Sequence, residues 1–248
     1  MFALDAPLGA GGDPSLKIDR DFEEIALDEL RTLIERPETP TLVVSEERGG
    51  DAATARTMVW VVVDPIDGST NIANGLPQFS LSVALASGPT MADVWFGFVH
   101  DFGTDEEFVC EREHGVEIGG AARGALLEVP HRLVAFESAE PQLMPRALDR
   151  LAAADFKEIR VIGSIAIALC YVALGRVSGL VTCKECRSVD AAAGQLIASE
   201  LGAALLFDGL SPESAGLSLD ERYRLVAGRD GLTTVLREAQ DVIPLVPR

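Results

Sequence analysis

Apolar residues follow two rhythms along this chain. Phe22, Ile25, Ala26, Leu30, Leu33 and Ile34 recur at helical spacing, and Pro37 marks a stop. That spacing predicts an amphipathic helix from about Arg20 to Arg36. The rhythm then changes. "TPTLVVSEE" reads as a strand ending in acids, "ERGGDAATART" as a loop, and "TMVWVVVD" as a strand of the continuous apolar kind that lies buried on both faces. "FSLSVALAS", "VWFGFVH" and "EEFVCERE" follow as further strands with turn residues between them, a meander-like series.

After the glycine-rich stretch at Gly119–Gly124, "EVPHRLVAFES" opens a second layer. From there strands and helices alternate. A helix near Pro145–Ala154 precedes strand "FKEIRVI", helix Ser164–Leu174, strand "VSGLVTC", helix Ala191–Leu201 and strand "AALLFD". Alternation of this kind favours a layered α/β arrangement. The longest apolar run, Val161 to Gly175, is shorter than a membrane span and carries Gly and Ser, so it reads as a buried helix. No internal repeat or low-complexity segment is evident. "GAGGD" (Gly9 to Asp13) has no strand before it and reads as a surface loop, not as a nucleotide loop.

Three strand–loop junctions concentrate negative charge. Glu46 and Glu47 follow "TLVV", Asp64 and Asp67 follow "VWVVV", and Asp190 precedes "AAAGQLIASE". Unpaired buried carboxylates are costly, so grouped ones imply a cation between them. Strand ends are also where α/β sheets bind ligands. In "DPIDGST", Pro65 should stop the strand from simply continuing. A turn through Pro65-Ile66 would bring Asp64 and Asp67 to one side and turn the Ile66 carbonyl inward. Gly68 permits a close backbone approach, and a helix beginning at Ser69 would offer free amides to an anion. Hard oxygen ligands favour Mg²⁺ over zinc. Two plainer alternatives stand beside this reading: Asp-Pro-x-Asp-Gly is good turn chemistry, and Asp190 could be an ordinary helix N-cap.

Charge narrows the field of partners. The 248 residues hold 39 Asp+Glu against 21 Lys+Arg, a formal charge of −18. Such a surface repels a phosphate backbone and anionic lipid, so no nucleic-acid or membrane partner is expected. The lysines are Lys17, Lys157 and Lys184. A chain this poor in lysine needs metal ions, helix N-termini or a few arginines to hold an anionic substrate. The N-terminus lacks a basic start followed by an apolar core, so no secretion signal is expected and the protein reads as cytoplasmic. Four cysteines (Cys110, Cys170, Cys183, Cys186) make no disulfide framework at this length. "CKEC" has no second pair to complete a zinc site, and its cysteines read as two free thiols in a loop.

Taken in order, the motifs identify a family. "WVVVDPIDGSTN" resembles the first signature of the inositol monophosphatase-like, lithium-sensitive, magnesium-dependent sugar phosphatases. "VDAAAGQLIASELGA" is similar to their second, "VVSEERG" to the Glu-Glu segment upstream, and "IRVIGSIAIALCYVALGR" to the Arg-x-x-Gly-Ser helix. The match runs from about Ser15 to Phe207. "LGAGGDPSLKIDRDFEE" looks closest to the archaeal-type branch, whose members hydrolyse both fructose 1,6-bisphosphate and inositol phosphate.

The resemblance implies a layered αβαβα sandwich over 1–248 as a single domain, with subdomains of about 1–128 and 129–248, and a homodimer. It implies two or three Mg²⁺ per subunit. Glu46, Asp64 and the Ile66 carbonyl would bind the first, Asp64, Asp67 and Asp190 the second, with Glu46 reaching a third. Gly68, Ser69 and the amides after them, Thr70 included, would hold the phosphate, with Asp67 and, from the Gly-Ser helix, Gly163 and Ser164 on the substrate side. Asp19, in "KID", would accept the Ser69 hydroxyl proton and orient the pair that polarises the attacking water, with Glu46 sharing the catalytic role. Two such metals, about 3.5–4 Å apart, activate a water and stabilise the leaving oxygen, supplying the positive charge the lysines do not.

The chain also departs from the family pattern. Ser69 stands where the family commonly has Thr, and Val189 where a Trp often precedes the second-signature Asp. The family's first helix is not expected here, since the sequence starts almost at the glycine-containing loop. In "TCKECRS", where relatives place a substrate-selecting acid, Glu185 could substitute, Lys184 or Arg187 could hold a second phosphate, or both bases could be solvated loop charges. The reading is therefore a phosphomonoesterase for a small sugar or polyol phosphate. A 3′-phosphoadenosine nucleotide or histidinol phosphatase is the alternative within the class. A noncatalytic regulatory protein retaining the fold, like relatives with roles beside the transcription machinery, is the alternative outside it.

Overall fold

The run from Val59 to Asp67 is the strand on which the structure is organised, buried almost throughout. A computed structural model describes residues 17–35, 38–50, 57–123, 132–229 and 231–245. The glycine loop at 9–13, Pro37, Gly124 and the start of "EVPHRLVAFES" lie outside the described residues. In chain order the first half comprises α1 (Lys17–Glu29), α2 (Arg31–Ile34), β1 (Thr41–Ser45), β2 (Gly49–Gly50), β3 (Val59–Asp67), α3 (Ser69–Ala73), β4 (Ser80–Ala86), β5 (Val94–Asp101), β6 (Glu106–Glu111), β7 (Gly115–Ile118) and β8 (Ala121–Arg123). The second half comprises β9 (Leu133–Glu137), α4 (Pro145–Ala153), β10 (Glu158–Arg160), α5 (Ile165–Ala173), β11 (Gly179–Thr182), β12 (Cys186–Arg187), α6 (Ser188–Glu200), β13 (Ala204–Phe207), β14 (Arg222–Tyr223), β15 (Leu225–Gly228) and α7 (Leu232–Asp241).

Among the described residues, one sheet runs β2-β1-β3-β4-β5-β6-β7-β8 and another β10-β9-β11-β15-β13. The first is antiparallel except for β1 beside β3, which makes β3 to β6 the expected meander, and β7 and β8, which were not expected, extend it. The second begins parallel and becomes antiparallel at β15.

Alternate residues of β3 face different layers. Val61 and Val63 pack with Val83 and Leu85 against Ala26, Leu27 and Leu30 of the N-terminal helical segment. Trp60 and Val62 face the larger core with α5 and α6, which lie between the sheets. Helices α4 and α7 cover the far side of the second sheet around Phe136, Leu151, Val181 and Leu236. The layers therefore read α-β-α-β-α. None of the described helices is long and apolar enough to cross a membrane.

Four expectations need correction. The first helix begins at Lys17, three residues early, and breaks at Leu30 before α2. Its inward face is also partly acidic: Asp19 and Glu23 are buried, whereas Ile25 is 62% exposed. Glu23 is tolerated because Ser45 Oγ donates to it and the Arg48 amide donates at 3.0 Å. Second, Pro65 does not stop β3. The ladder pairs Asp64 with Ser82 and then Asp67 with Ser80, three residues against two. This bulge absorbs a residue that has no N–H to donate.

Third, α6 starts at Ser188, so Asp190 lies inside its first turn and Arg187 takes the cap position. Fourth, of the two "CKEC" thiols only Cys183 lies in the loop between β11 and β12, while Cys186 lies on β12; both are buried, at 1% and 4% exposed. All four cysteines are free and buried. Residues 208–245, for which the sequence pattern gave no elements, supply β15, which joins β11 to β13, and the covering helix α7.

Candidate active site

The bulge in β3 brings its two acids together. Residues three apart in a regular strand point to opposite faces. With one residue absorbed, Asp64 and Asp67 stand opposite Ser82 and Ser80, which share a face. That face is the one carrying Trp60 and Val62 toward α5 and α6. Asp64 is 1% and Asp67 7% exposed.

Glu46, Asp64 and Asp190 converge from the end of β1, the end of β3 and the first turn of α6. Each offers a carboxylate oxygen, and the three oxygens lie within 4.8 Å of one another. Asp190 Oδ2 accepts the Arg187 amide at 2.9 Å, while its Oδ1 is buried with no hydrogen-bond partner. The Arg187 guanidinium lies across the group, with Nη1 2.6 Å from Glu46 Oε1 and Nε 3.4 Å from Asp190 Oδ1. Arg187 is thus not a solvated loop charge, its side chain being only 13% exposed.

The electrostatics express this crowding. Burial lifts the Glu46 carboxyl to about 8; Arg187 opposes the rise, and Asp190, Glu47 and Asp19 add to it. The ion pair with Arg187 does not reverse the shift, because desolvation is the larger effect. Burial holds Asp64 well above the carboxylate range, with Glu46, Asp190 and Asp67 reinforcing it. Buried acids that raise one another in this way, together with the orphaned Asp190 oxygen, fit a hard divalent cation held by oxygens.

Asp67 stands apart from that trio. Its Oδ2 accepts from Ser164 Oγ at 2.7 Å and from the Ala166 amide at 2.6 Å, at the start of α5. Burial and the charge of Asp190 lift it to about 7 against those hydrogen bonds. Ser164 itself is 1% exposed, caps α5 through the Ile167 amide at 3.2 Å, and lies 3.1 Å from Ser80 Oγ. Its hydroxyl is engaged within the protein.

Beside the acids, α3 begins at Ser69 as expected, after Gly68 at φ 103°. A Cβ on Gly68 would lie 2.9 Å from Gln78 O and 3.2 Å from Gly163 O, so glycine is required there. The Ser69 and Thr70 amides have no acceptor within so short a helix turn. Ser69 is half-buried and Thr70 exposed. The Ile66 amide donates to Asp64 Oδ1 at 3.1 Å. Asp19 is 5% exposed on α1, near enough that its charge helps raise Glu46.

Two supporting residues were not anticipated. Asn71 Nδ2 donates to Gln78 O at 2.6 Å and Ile162 O at 2.8 Å, tying α3 to the segment before α5. Glu137, at the end of β9, accepts the Ile162 and Gly163 amides at 2.8 and 2.7 Å. An acid closing the apolar run "LVAF" is the same signal that marked Asp64 after "VWVVV". Gly163, at φ 84°, leaves no room for a Cβ against the Asn71 side chain. Lys184 pairs with Glu140 at 3.2 Å, half-exposed, and Glu185 is exposed.

Comparison with known proteins identifies the family. A family model described as the inositol monophosphatase family matches residues 9–239. The fructose-1,6-bisphosphatase/inositol-1-monophosphatase of Archaeoglobus fulgidus is 30% identical over 238 residues, covering 94% of this chain and 86% of that protein. The Nus factor SuhB of Pasteurella multocida is 31% identical over 210 residues, 80% of this chain and 73% of that protein. In fold, the chain is similar to the crystal structure of an inositol monophosphatase–fructose 1,6-bisphosphatase, with TM-score 0.79, 22% identity, and coverage of 98% of this chain and 89% of that one.

Proposed function

The chain belongs to the inositol monophosphatase family, metal-dependent phosphoric monoester hydrolases, and on that premise we propose that it is a Mg²⁺-dependent phosphatase of a small sugar or polyol phosphate. Inositol monophosphate and fructose 1,6-bisphosphate are the leading substrates. The observation that carries this reading is the convergence of Glu46, Asp64 and Asp190 within 4.8 Å beside a glycine-led helix start. The likeness to the Archaeoglobus fulgidus protein supports the substrate class.

Glu46, Asp64, Asp190 and the Ile66 carbonyl would hold Mg²⁺, with Asp67 completing the set. A bound divalent ion supplies Lewis acidity and lowers the pKa of water in such a site. The protein's own groups do the rest. The Ser69 and Thr70 amides would bind phosphoryl oxygens, with Gly68 admitting the substrate close to the backbone. Ser164 and the Ala166 amide fix the Asp67 carboxylate, so that acid needs no reorganisation when substrate arrives. Asp19 would accept the Ser69 hydroxyl proton and orient that hydroxyl toward the attacking water. Glu185, Lys184 and Arg187 stay candidates for substrate selection, Lys184 and Arg187 each from within an ion pair. The same resemblance extends the proposal to a homodimer that lithium inhibits.

Phosphate release tests the reading. Purified protein with Mg²⁺ should release phosphate from inositol 1-phosphate or fructose 1,6-bisphosphate, and chelator should abolish it. Release that survives both chelator and Asp64→Asn would refute it. The likeness to SuhB proteins favours a second reading, a regulatory role on the same fold. Silence on every phosphomonoester, with a partner complex recovered by pull-down, would select that one.

A further inference from the structure

The carboxylates placed to take a metal already hold a cation belonging to the chain. Arg187 lies at the junction of β12 and α6, where the backbone fixes its root: its amide donates to Asp190 Oδ2 at 2.9 Å. From that root the guanidinium reaches Glu46 Oε1 at 2.6 Å and Asp190 Oδ1 at 3.4 Å. The three side chains are 12–14% exposed. Glu46 and Asp190, with Asp64, are the same acids whose oxygens cluster within 4.8 Å.

A guanidinium keeps its charge at every accessible pH, so it cannot vacate the acids by losing a proton. Mg²⁺ requires oxygen ligands at about 2.0–2.1 Å in near-octahedral array, and an ion seated among these acids would compete for the same lone pairs. Neither the contact with Glu46 nor that with Asp190 Oδ1 has hydrogen-bond geometry. Both are charge contacts, and a doubly charged ion can replace them.

We propose that Arg187 is a tethered counter-ion of the metal site. Its guanidinium bridges Glu46 and Asp190 while no metal is bound and yields those carboxylates when a divalent ion enters. Arg187 is a positioning residue with two opposed effects: it stabilises the metal-free fold by neutralising buried acids, and it weakens metal affinity by competing for the ligands. The inference rests on the metal site proposed above.

Calorimetric titration of chelator-stripped protein with Mg²⁺, paired with thermal unfolding, separates the two. Arg187→Met should bind Mg²⁺ about tenfold tighter while its metal-free form melts below wild type. Lys184→Met, which removes the same charge outside the group, should change affinity less than about twofold at moderate ionic strength. Weaker or unchanged affinity in Arg187→Met would overturn the inference, showing that Arg187 organises the ligands or is indifferent to the ion. A wild type that gives neither heat nor a melting shift with Mg²⁺ would overturn the metal site itself, and the inference with it. If Arg187→Met does not fold, the ¹⁵N spectrum of the wild type decides: the Arg187 Nε–H resonance should move as Mg²⁺ is added, and a resonance fixed through saturation would refute displacement.

Discussion

Replacing Ser164 by alanine tests how the second acid of the β3 bulge is held. The hydroxyl makes a 2.7 Å bond to Asp67 Oδ2, accepts the Ile167 amide at 3.2 Å as the α5 cap, and touches Ser80 at 3.1 Å. Loss of a Ser cap costs about 1 kcal/mol, and loss of a bond to a charged acceptor about 1.5–3 kcal/mol. Asp67 keeps the Ala166 amide at 2.6 Å, so it is not orphaned, and the total should fall near 2–3 kcal/mol. For a chain of this size that is a fall in Tm of roughly 4–12 °C. Thermal unfolding without metal measures it directly, and Ser80→Ala, which removes the neutral contact alone, should cost less than about 1 kcal/mol. A drop below about 1 °C in Ser164→Ala would refute the claim that this hydroxyl anchors Asp67 and α5.

Gly68→Ala should lower phosphatase activity at least about tenfold and cost roughly 1–3 kcal/mol, because φ 103° and the Gln78 carbonyl leave a Cβ no place; wild-type activity and Tm would contradict this. Glu137 bears on pH dependence. Burial raises its carboxyl from 4.5 to about 7 against the two amide bonds. Below 4.5 both folded and unfolded chains carry the proton, and its contribution is fully present. As pH rises toward 7 the unfolded chain ionises first, so about 3 kcal/mol is lost. Glu46, Asp64 and Asp67 are raised too and add to the wild-type fall. Urea unfolding with chelator at pH 5 and pH 8 should therefore show a fall that is about 3 kcal/mol smaller in Glu137→Gln than in wild type; equal falls would refute it. Burial also raises the Cys183 and Cys186 thiols, so Ellman's reagent at pH 8 should react with the native protein far more slowly than with the urea-unfolded chain, and equal rates would contradict the placement.

Much of the architecture is legible because buried strands need continuous apolar residues. "VWVVV" predicts β3 and "AALLFD" predicts β13 without reference to anything distant. The candidate ligands are legible for a related reason: an acid at the end of an apolar run is conspicuous. What the pattern hides is which polar residues turn inward. Glu23 sits on a helix rich in acids, where a charged position reads as a solvent face, and only its bond from Ser45 at the end of β1 shows otherwise. Arg187 reads as a loop charge until Glu46, 141 positions earlier in the numbering, is folded against it. The β3 bulge is hidden too, because Pro65 signals a stop when read locally. Only pairing with β4 shows that the strand can slip past it.

The central claim is that Glu46, Asp64 and Asp190 together seat a divalent ion. Anomalous diffraction from crystals grown with Mn²⁺ in place of Mg²⁺ tests it most directly. The account predicts a peak about 2.0–2.3 Å from a carboxylate oxygen of each of the three, which disappears in Asp64→Asn. A peak away from this group, or none at saturating Mn²⁺, would contradict it.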